Sequence, residues 1–301
     1  MLVGGWTGSR YFSTVLASED SRATFANTMV ELINTYNLDG LDFECVHDPF
    51  VNLMFPDIFT SSWEYPGSQS TGCNTVSSSD TSNFLSFFQL LRSKLPATTI
   101  LTAAVSPSPW VGLNDLSGFA PLLNYIIVMT YDFYPPAAPG VTQVGPNSPL
   151  DESCMPQGAL VMGSATKAIK AWSDAGISKK QLLLGVPAYG HSYRVPTADA
   201  IAPDGTLKIT SSFDPHNQTK GDAWDDPGGV DVCGNTIGPG GVWTFWGLVQ
   251  AGYLNEDGTH SSSVQYKWDN CSQTVCPKLP CSERVMTQMF LSQCSTTRPN
   301  K

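Results

Sequence analysis

The sequence predicts an α/β fold in which strands that run parallel alternate with helices. Strand-like and helix-like segments take turns along most of the 301 residues. Several strand-like segments are continuous apolar runs, which are typical of parallel strands because helices cover both faces of such a sheet. A chain of this length can form one large domain or two smaller ones.

Three segments carry helix signals. Residues 18–38 open with Ser18 as an N-cap, and residues 80–96 predict a helix that Asp80 or Thr81 opens and that ends before Pro96. A third helix is predicted over 158–176, closed by Gly176. The first helix has an apolar stripe at helical spacing, made of Phe25, Met29, Leu32, Ile33 and Tyr36. Strands are predicted over 2–5, 38–43, 98–106, 125–133 and 180–193.

The pattern changes after residue 193. Residues 194–274 consist of short polar segments rich in Gly and Asp, which indicate a smaller inserted α+β domain. We therefore predict a first domain over 1–193, an insertion domain over 194–274 and an anomalous tail over 275–301.

Composition excludes several function classes. The net charge of −10 argues against nucleic acids and anionic membranes as partners. No run of 18 apolar residues predicts a membrane helix, and the start of the chain carries no signal peptide pattern. The four His form no metal pair or nucleophile dyad, and neither C-x-x-C nor G-x-S-x-G occurs. We expect no metal and no cofactor.

Eight Cys indicate an oxidising compartment, and therefore an extracellular protein. Cys45 lies in a segment that interrupts a motif described below, and three others lie in the anomalous tail. The remaining Cys73, Cys154, Cys233 and Cys271 predict two disulfides. Of the three possible pairings we favour Cys73–Cys154 with Cys233–Cys271.

The most informative feature is an interrupted acidic motif. Residues 38–44 read L-D-G-L-D-F-E, and residues 63–67 read W-E-Y-P-G. If residues 45–62 are removed, Asp42, Glu44 and Glu64 stand at alternate positions of a strand and share one face. Three acids so close cannot all ionise cheaply, so one keeps its proton and can act as a general acid toward a glycosidic bond. The alternative is an acidic strand end that faces solvent or binds a metal.

The joined motif resembles the D-G-x-D-x-D-W-E-Y-P-G signature of glycoside hydrolase family 18, the chitinases, in their fungal class V form. The resemblance runs from Leu2 to Thr274 apart from residues 45–62. It implies a partial (β/α)8 TIM barrel, about the third to the seventh strand, with an α+β insertion domain. Such a partial barrel would leave open sheet edges, and we expect the chain to be poorly soluble.

The interrupting segment reads like a retained intron. As written, Val46 stands two residues after Glu44 and can donate no proton. The codons at both ends fit splice sites, and joining them creates an Asp in place of Glu44 through Ser62. A genuine surface insertion is the alternative.

The resemblance also implies residue roles. Glu64 would protonate the leaving oxygen, and the substrate's own 2-acetamido oxygen would be the nucleophile. Glu44 stands nearest to the acid that orients this group, Asp42 would share the proton, and Asp39 would be structural. Tyr131 would hydrogen-bond the acetamido oxygen. The remaining cleft residues would be Gly5, Trp6, Tyr65, Met129 and Asp132. The competing interpretations make Trp6 and Tyr131 core aromatics and Asp132 a turn cap.

Three hypotheses about function follow. The first is a monomeric, secreted chitinase that hydrolyses chitin or chitooligosaccharides at β-1,4-N-acetylglucosamine linkages with retention. The second is a lectin-like member of the family that binds chitin without cutting it. The third is the product of a defective gene model with no stable function.

Overall fold

A computed structural model describes residues 1–5, 8–43, 66–67, 73–136, 140–155, 157–262, 264–279 and 285–292. The chain divides into two compact units. Unit 1 comprises Met1–Met129 and Ala168–Gly185, and unit 2 comprises Thr130–Lys167 and Val186–Lys301.

The helices are α1 Phe12–Leu16, α2 Glu19–Tyr36, α3 Asp80–Lys94, α4 Ala165–Asp174, α5 Thr197–Ala200 and α6 Phe245–Gln250, with 3-10 turns at Ser117–Phe119 and Lys179–Gln181. The strands are β1 Gly40–Phe43, β2 Ile100–Val105, β3 Tyr125–Met129, β4 Leu182–Gly185, β5 Tyr189–Pro196, β6 Gly229–Val230, β7 Thr236–Ile237, β8 Val242–Thr244, β9 Gln265–Asp269, β10 Thr274–Leu279 and β11 Val285–Ser292. None of the helices in the described part of the chain has the length and apolar character that a membrane crossing requires.

Unit 1 is built on a parallel sheet, which confirms the predicted α/β class. Its described strands follow the order β1-β2-β3-β4, and every pairing between them is parallel. Leu2 adds a parallel bridge to Asp42 beside β1. Phe43 of β1 packs edge-to-face against Phe87 and Phe88 of α3, with centroids 5.8 and 5.0 Å apart. Aromatic packing of this kind fixes the helix on the sheet.

Helix α2 begins as its sequence predicts. The Ser18 side chain accepts a hydrogen bond from the Ser21 backbone N–H, and Asn37 ends the helix in the left-handed conformation. Met29 and Ile33 are buried in the core. Tyr36 is 66% exposed, so the apolar stripe ends one turn before the prediction placed its end.

Two predicted elements differ from the structure. The helix predicted over 158–176 covers only Ala165–Asp174, because Gly163 has a φ of 128°, which no helix residue adopts. The single strand predicted over 180–193 is two strands, β4 and β5. Pro187 lies between them and carries no N–H for a ladder, so the chain leaves the parallel sheet there.

Unit 2 contains an antiparallel sheet of order β8-β5-β11-β10-β9 and the β6–β7 pair. Strand β5 pairs with β8 on one side and with β11 on the other. Val275 and Cys276 at the start of β10 are buried, so this part of the predicted tail belongs to the sheet. The domain boundaries at 193 and 274 stay predictions.

The disulfide pairing that we favoured is wrong. Cys154 is bonded to Cys271, with Cα atoms 5.6 Å apart, which excludes both favoured pairs. A backbone hydrogen bond of 2.8 Å from the Leu150 N–H to the Ser272 carbonyl holds the two segments together. Cys73 and Cys233 are also disulfide-bonded, as expected of the set. Cys276, in the first half of β10, is buried.

Candidate functional site

Asp42 lies on the face of β1 that points away from the helices. Its neighbours Leu41 and Phe43 are 1% and 2% exposed and belong to the core, so alternation directs Asp42 to the other face. The Asp42 carboxylate accepts a 2.5 Å hydrogen bond from the Thr102 hydroxyl of β2, its register partner. The sheet therefore fixes one of the three predicted acids in place.

Backbone packing explains the Asp39–Gly40 pair that precedes this acid. A Cβ atom on Gly40 would lie 2.0 Å from the Ile100 carbonyl oxygen, so only glycine fits between the first two strands. The Asp39 carbonyl accepts a 3.0 Å hydrogen bond from the Ile100 N–H, while the residue itself is exposed. Asp39 thus contributes backbone pairing at the start of β1.

Gly5 and Met129 both lie in unit 1, Gly5 just after the residue that bridges to β1 and Met129 at the end of β3. Gly4 and Gly5 have φ values of 127° and 108°, which favour glycine. The Gly5 carbonyl accepts hydrogen bonds from the backbone N–H and the hydroxyl of Ser9, at 3.0 and 2.7 Å. Met129 ends β3 and is 7% exposed. The predicted residues Trp6, Glu44, Glu64 and Tyr65 lie outside the described residues.

A buried aspartate anchors the chain just after the second half of the acidic motif. Asp80, the first residue of α3, has no exposed surface. Its carboxylate accepts hydrogen bonds from the Ser13 hydroxyl at 2.7 Å, the Ser77 N–H at 2.8 Å and the Gly67 N–H at 3.2 Å. Gly67 is the last residue of W-E-Y-P-G, three positions after Glu64. The sequence indicated Asp80 only as a helix start and did not reveal this anchoring role.

We expect Asp80→Ala to lower the free energy of unfolding by about 3 kcal/mol, because three donors lose their buried acceptor. Equilibrium denaturation in urea measures this loss. Ser79→Ala is the matched control, since the Ser79 side chain makes no capping hydrogen bond, and it should change stability by less than about 0.5 kcal/mol. Equal midpoints for the two variants would show that the anchor contributes nothing.

In unit 2, Asp132 is held in a left-handed backbone conformation with φ of 56°. The buried Asn147 side chain accepts a 3.1 Å hydrogen bond from the Asp132 N–H and donates one of 3.1 Å to the Tyr189 carbonyl. The Asp132 carboxylate lies 2.7 Å from Nε2 of His191. Strain at a non-glycine residue persists only where its surroundings fix it, and here two side chains do so.

His191 is the partner of Asp132, and the sequence did not reveal this contact. The residue is 6% exposed and lies in the centre of β5, while its Nδ1 has no hydrogen-bond partner within the described chain. Its ring is 5.7 Å from that of Tyr189, which is 6.1 Å from that of Tyr131, and both contacts are edge-to-face. Tyr131 is half-buried in this row of rings. A histidine inside the predicted strand over 180–193 was the signal that could have revealed the pair.

The chain between Tyr131 and β5 is tied down by a further tyrosine. The Tyr193 hydroxyl donates a 2.6 Å hydrogen bond to the Tyr134 carbonyl. Burial raises the pKa of Tyr193 well above its usual value, so the hydroxyl stays protonated and keeps donating. A Cβ atom on Gly145 would lie 2.2 Å from the Tyr134 ring, so this packing is tight. These contacts hold the backbone close to Tyr131 and Asp132 in place.

We expect His191→Ala to lower the stability of unit 2 by about 1–2 kcal/mol, because the Asp132 carboxylate loses the buried hydrogen-bond partner that lies 2.7 Å from it. Differential scanning calorimetry measures the shift. His216→Ala is the control, since His216 is exposed, and its melting temperature should match that of the unchanged chain. If His191→Ala also melts at that temperature, the contact between His191 and Asp132 does not contribute to stability.

The predicted site residues that the structure describes include carboxylates and a tyrosine hydroxyl. Within the described ranges, no three His, Cys, Asp or Glu side chains cluster closely enough to hold a metal ion. In unit 1, Asp42 and Thr102 lie within β1 and β2, and in unit 2, Tyr131 and Asp132 come shortly after the last residue of β3. Each of these two groups contains side chains that can take part in hydrogen bonds with a polar ligand.

The family is decided by a match that covers most of the chain. Residues 1–275 match the model of glycosyl hydrolases family 18. The chain belongs to glycosyl hydrolases family 18. The family 18 fold is a TIM barrel with an insertion, and the described residues of this chain contribute an open parallel sheet of four strands to it.

Relatives in this family include effectors as well as enzymes. A chitinase-like effector of Moniliophthora roreri is 40% identical over 90% of this chain, which spans 62% of the effector's length. A chitinase-like effector of Moniliophthora perniciosa is 37% identical over 91% of this chain and 58% of its own length. A chitinase from Rhizomucor miehei superposes with a TM-score of 0.77 at 31% identity, over 95% of this chain and 71% of its own. The chain is thus shorter than the curated family 18 relatives that it matches.

Proposed function

We propose that this family 18 protein acts on chitin or chitooligosaccharides and hydrolyses β-1,4 linkages between N-acetylglucosamine units with retention. One observation carries the proposal: Asp42 is fixed on the open face of β1 by Thr102, in the strand that continues into the acidic motif. Membership of the family gives this acid its chemical context. We further propose that the protein is a monomer and that it lies outside the cell; the Cys154–Cys271 disulfide supports the extracellular location.

The proposed reaction uses the substrate as its own nucleophile. Glu64 donates a proton to the leaving oxygen, and the 2-acetamido oxygen attacks the anomeric carbon to form an oxazolinium intermediate. The acid that stands two residues after Asp42 stabilises the positive charge of this intermediate. Tyr131 donates a hydrogen bond to the acetamido oxygen. Water then attacks the anomeric carbon from the face that the leaving group has left, and Glu64 accepts the proton of this water.

Binding without cleavage is the second candidate, and a specific observation favours it. The position two residues after Glu44 is Val46, which can neither donate nor accept a proton. The two most identical relatives given above carry the name chitinase-like effector. Asp132 and Tyr131 would then serve only to hold the sugar.

Two substrates separate the proposal from its alternatives. We expect the protein to release fluorescent product from a 4-methylumbelliferyl chitobioside and to leave the matching glucosamine disaccharide intact, because the latter has no acetamido nucleophile. Glu64→Gln should remove this activity while calorimetry still detects binding of N-acetylchitotetraose. Cleavage of the deacetylated substrate would contradict the mechanism. Binding without any cleavage would leave the second candidate.

A further inference from the structure

Unit 2 carries a groove whose walls hold two tryptophans. It has a volume of about 430 Å³ and lies between residues 220–224 and residues 243–251. Trp224 and Trp243 line it together with Lys220 and Gln250. Trp224 is 45% exposed although it is among the largest apolar side chains. We call this feature the tryptophan groove. Its volume lies within the range of small-ligand sites.

One buried aspartate joins the two walls. Asp222 is 7% exposed, and its carboxylate accepts hydrogen bonds from the Trp224 N–H at 2.8 Å, the Thr244 N–H at 2.7 Å and the Thr244 hydroxyl at 2.5 Å. Gly247 approaches so closely that a Cβ atom there would lie 2.0 Å from this carboxylate. The first wall is therefore attached to the start of α6, which forms the second.

A second buried aspartate repeats the arrangement at the other end of the wall. Asp225, also 7% exposed, accepts hydrogen bonds from the N–H groups of Gly221 at 2.6 Å, Gly241 at 3.1 Å and Val242 at 2.9 Å. Burying a carboxylate is costly unless donors surround it. Both carboxylates accept hydrogen bonds from groups of the protein itself, so they fix the shape of the groove before any ligand binds.

Trp243 presents an unused donor. Its ring packs edge-to-face against Tyr253, with centroids 5.5 Å apart, and this contact fixes its orientation. The Trp243 indole N–H is buried and has no hydrogen-bond partner in the part of the chain that the structure describes. A buried donor without a partner is unfavourable, and an acceptor oxygen on a bound ligand would satisfy it.

The tryptophan groove lies on the opposite face of the β5–β8 pair from the site described above. Across this pair, Val242 is opposite His191 and Thr244 is opposite Tyr189, whereas Trp243 is opposite Gly190. Successive side chains of a strand point to opposite faces. Trp243 therefore faces away from the side that Tyr189 and His191 occupy, and the groove is separate from their ring cluster.

We propose that the tryptophan groove is a second, non-catalytic binding site for oligosaccharides of β-1,4-linked N-acetylglucosamine; this inference rests on the substrate class proposed above. An exposed indole face stacks on the apolar face of a pyranose ring, as flat aromatic surfaces do with ligands that are apolar on one side. The Trp243 N–H, Lys220 and Gln250 donate to acetamido and hydroxyl oxygens. The groove would hold the protein on an insoluble polysaccharide while the catalytic site acts on another segment of that polysaccharide.

Calorimetry of the full chain with N-acetylchitotetraose tests the proposal, in a Glu64→Gln background so that the ligand is not consumed. We expect two binding events per protein. Trp224→Ala should remove the second event and lower retention on insoluble chitin at least fivefold. Ala251→Arg, which fills the groove from the exposed end of α6, should do the same without altering Trp224. Tyr266→Ala, at an aromatic of similar exposure, should keep both events.

Two outcomes would overturn the proposal, and they are distinguishable. If the Glu64→Gln background binds one tetraose, and both groove variants bind it equally well and are still retained on chitin, the groove is not a sugar site. The proposed function then stands. If the Glu64→Gln background binds no tetraose at all, the proposed substrate class fails as well. Circular dichroism melts of each variant identify any that do not fold.

Discussion

Replacing residues 44–62 by a single Asp should raise the rate of 4-methylumbelliferyl chitobioside hydrolysis by at least about a hundredfold, since a positioned general acid contributes 10²–10⁴. The replacement recreates D-G-L-D-F-D-W-E-Y-P-G from the chain's own flanking residues. It returns Glu64 to an alternate position of the strand that holds Asp42, so that both share one face. Initial rates of fluorescence release measure the effect.

Two controls define what the excision result means. Glu64→Gln within the excised chain should lower the rate to that of the chain as written or below it, while a conservative change outside the motif should not. Sequencing the transcript gives an independent answer, because the retained-intron hypothesis requires messages that lack the codons for residues 45–62. If the chain as written hydrolyses the substrate as fast as the excised one, the interruption has no catalytic consequence and the hypothesis loses its chemical basis.

The second large effect is expected from the disulfide in unit 2. Cys154→Ser combined with Cys271→Ser should lower the free energy of unfolding by about 4 kcal/mol, because the bond closes a long loop and restricts the unfolded chain. The two cysteines are 117 residues apart in sequence. Urea denaturation under oxidising conditions, monitored by tryptophan fluorescence, measures the loss.

The two single substitutions form a cycle that isolates the bond. Each one alone should cost as much as the double substitution, because either removes the same cross-link. Peptide mapping of the unreduced protein should find Cys154 joined to Cys271. A peptide that joins Cys154 to Cys73 instead would restore the pairing that the sequence first suggested and would contradict the structure.

Local sequence determined the elements that depend on local chemistry. Ser18 caps α2, Phe43 and Leu41 alternate with Asp42 in β1, and the apolar runs around β2 and β3 form parallel strands. In each case the information lies within a few residues, because caps and strand alternation act over that distance. The acidic motif could be recognised for the same reason, and it indicated the family from the sequence alone.

Tertiary structure decided everything that depends on distant residues meeting. Asp80 accepts from Ser13 and Gly67, which lie 67 and 13 positions away, and no local pattern marks that meeting. The Asp132–His191 pair spans 59 positions, and for that reason the histidine passed as incidental. The disulfide partners were equally undetermined, since sequence spacing carries no information about which Cα atoms approach within bonding distance. Chemistry that lies within one segment can be deduced from its residues, whereas contacts between distant segments form only when the chain folds.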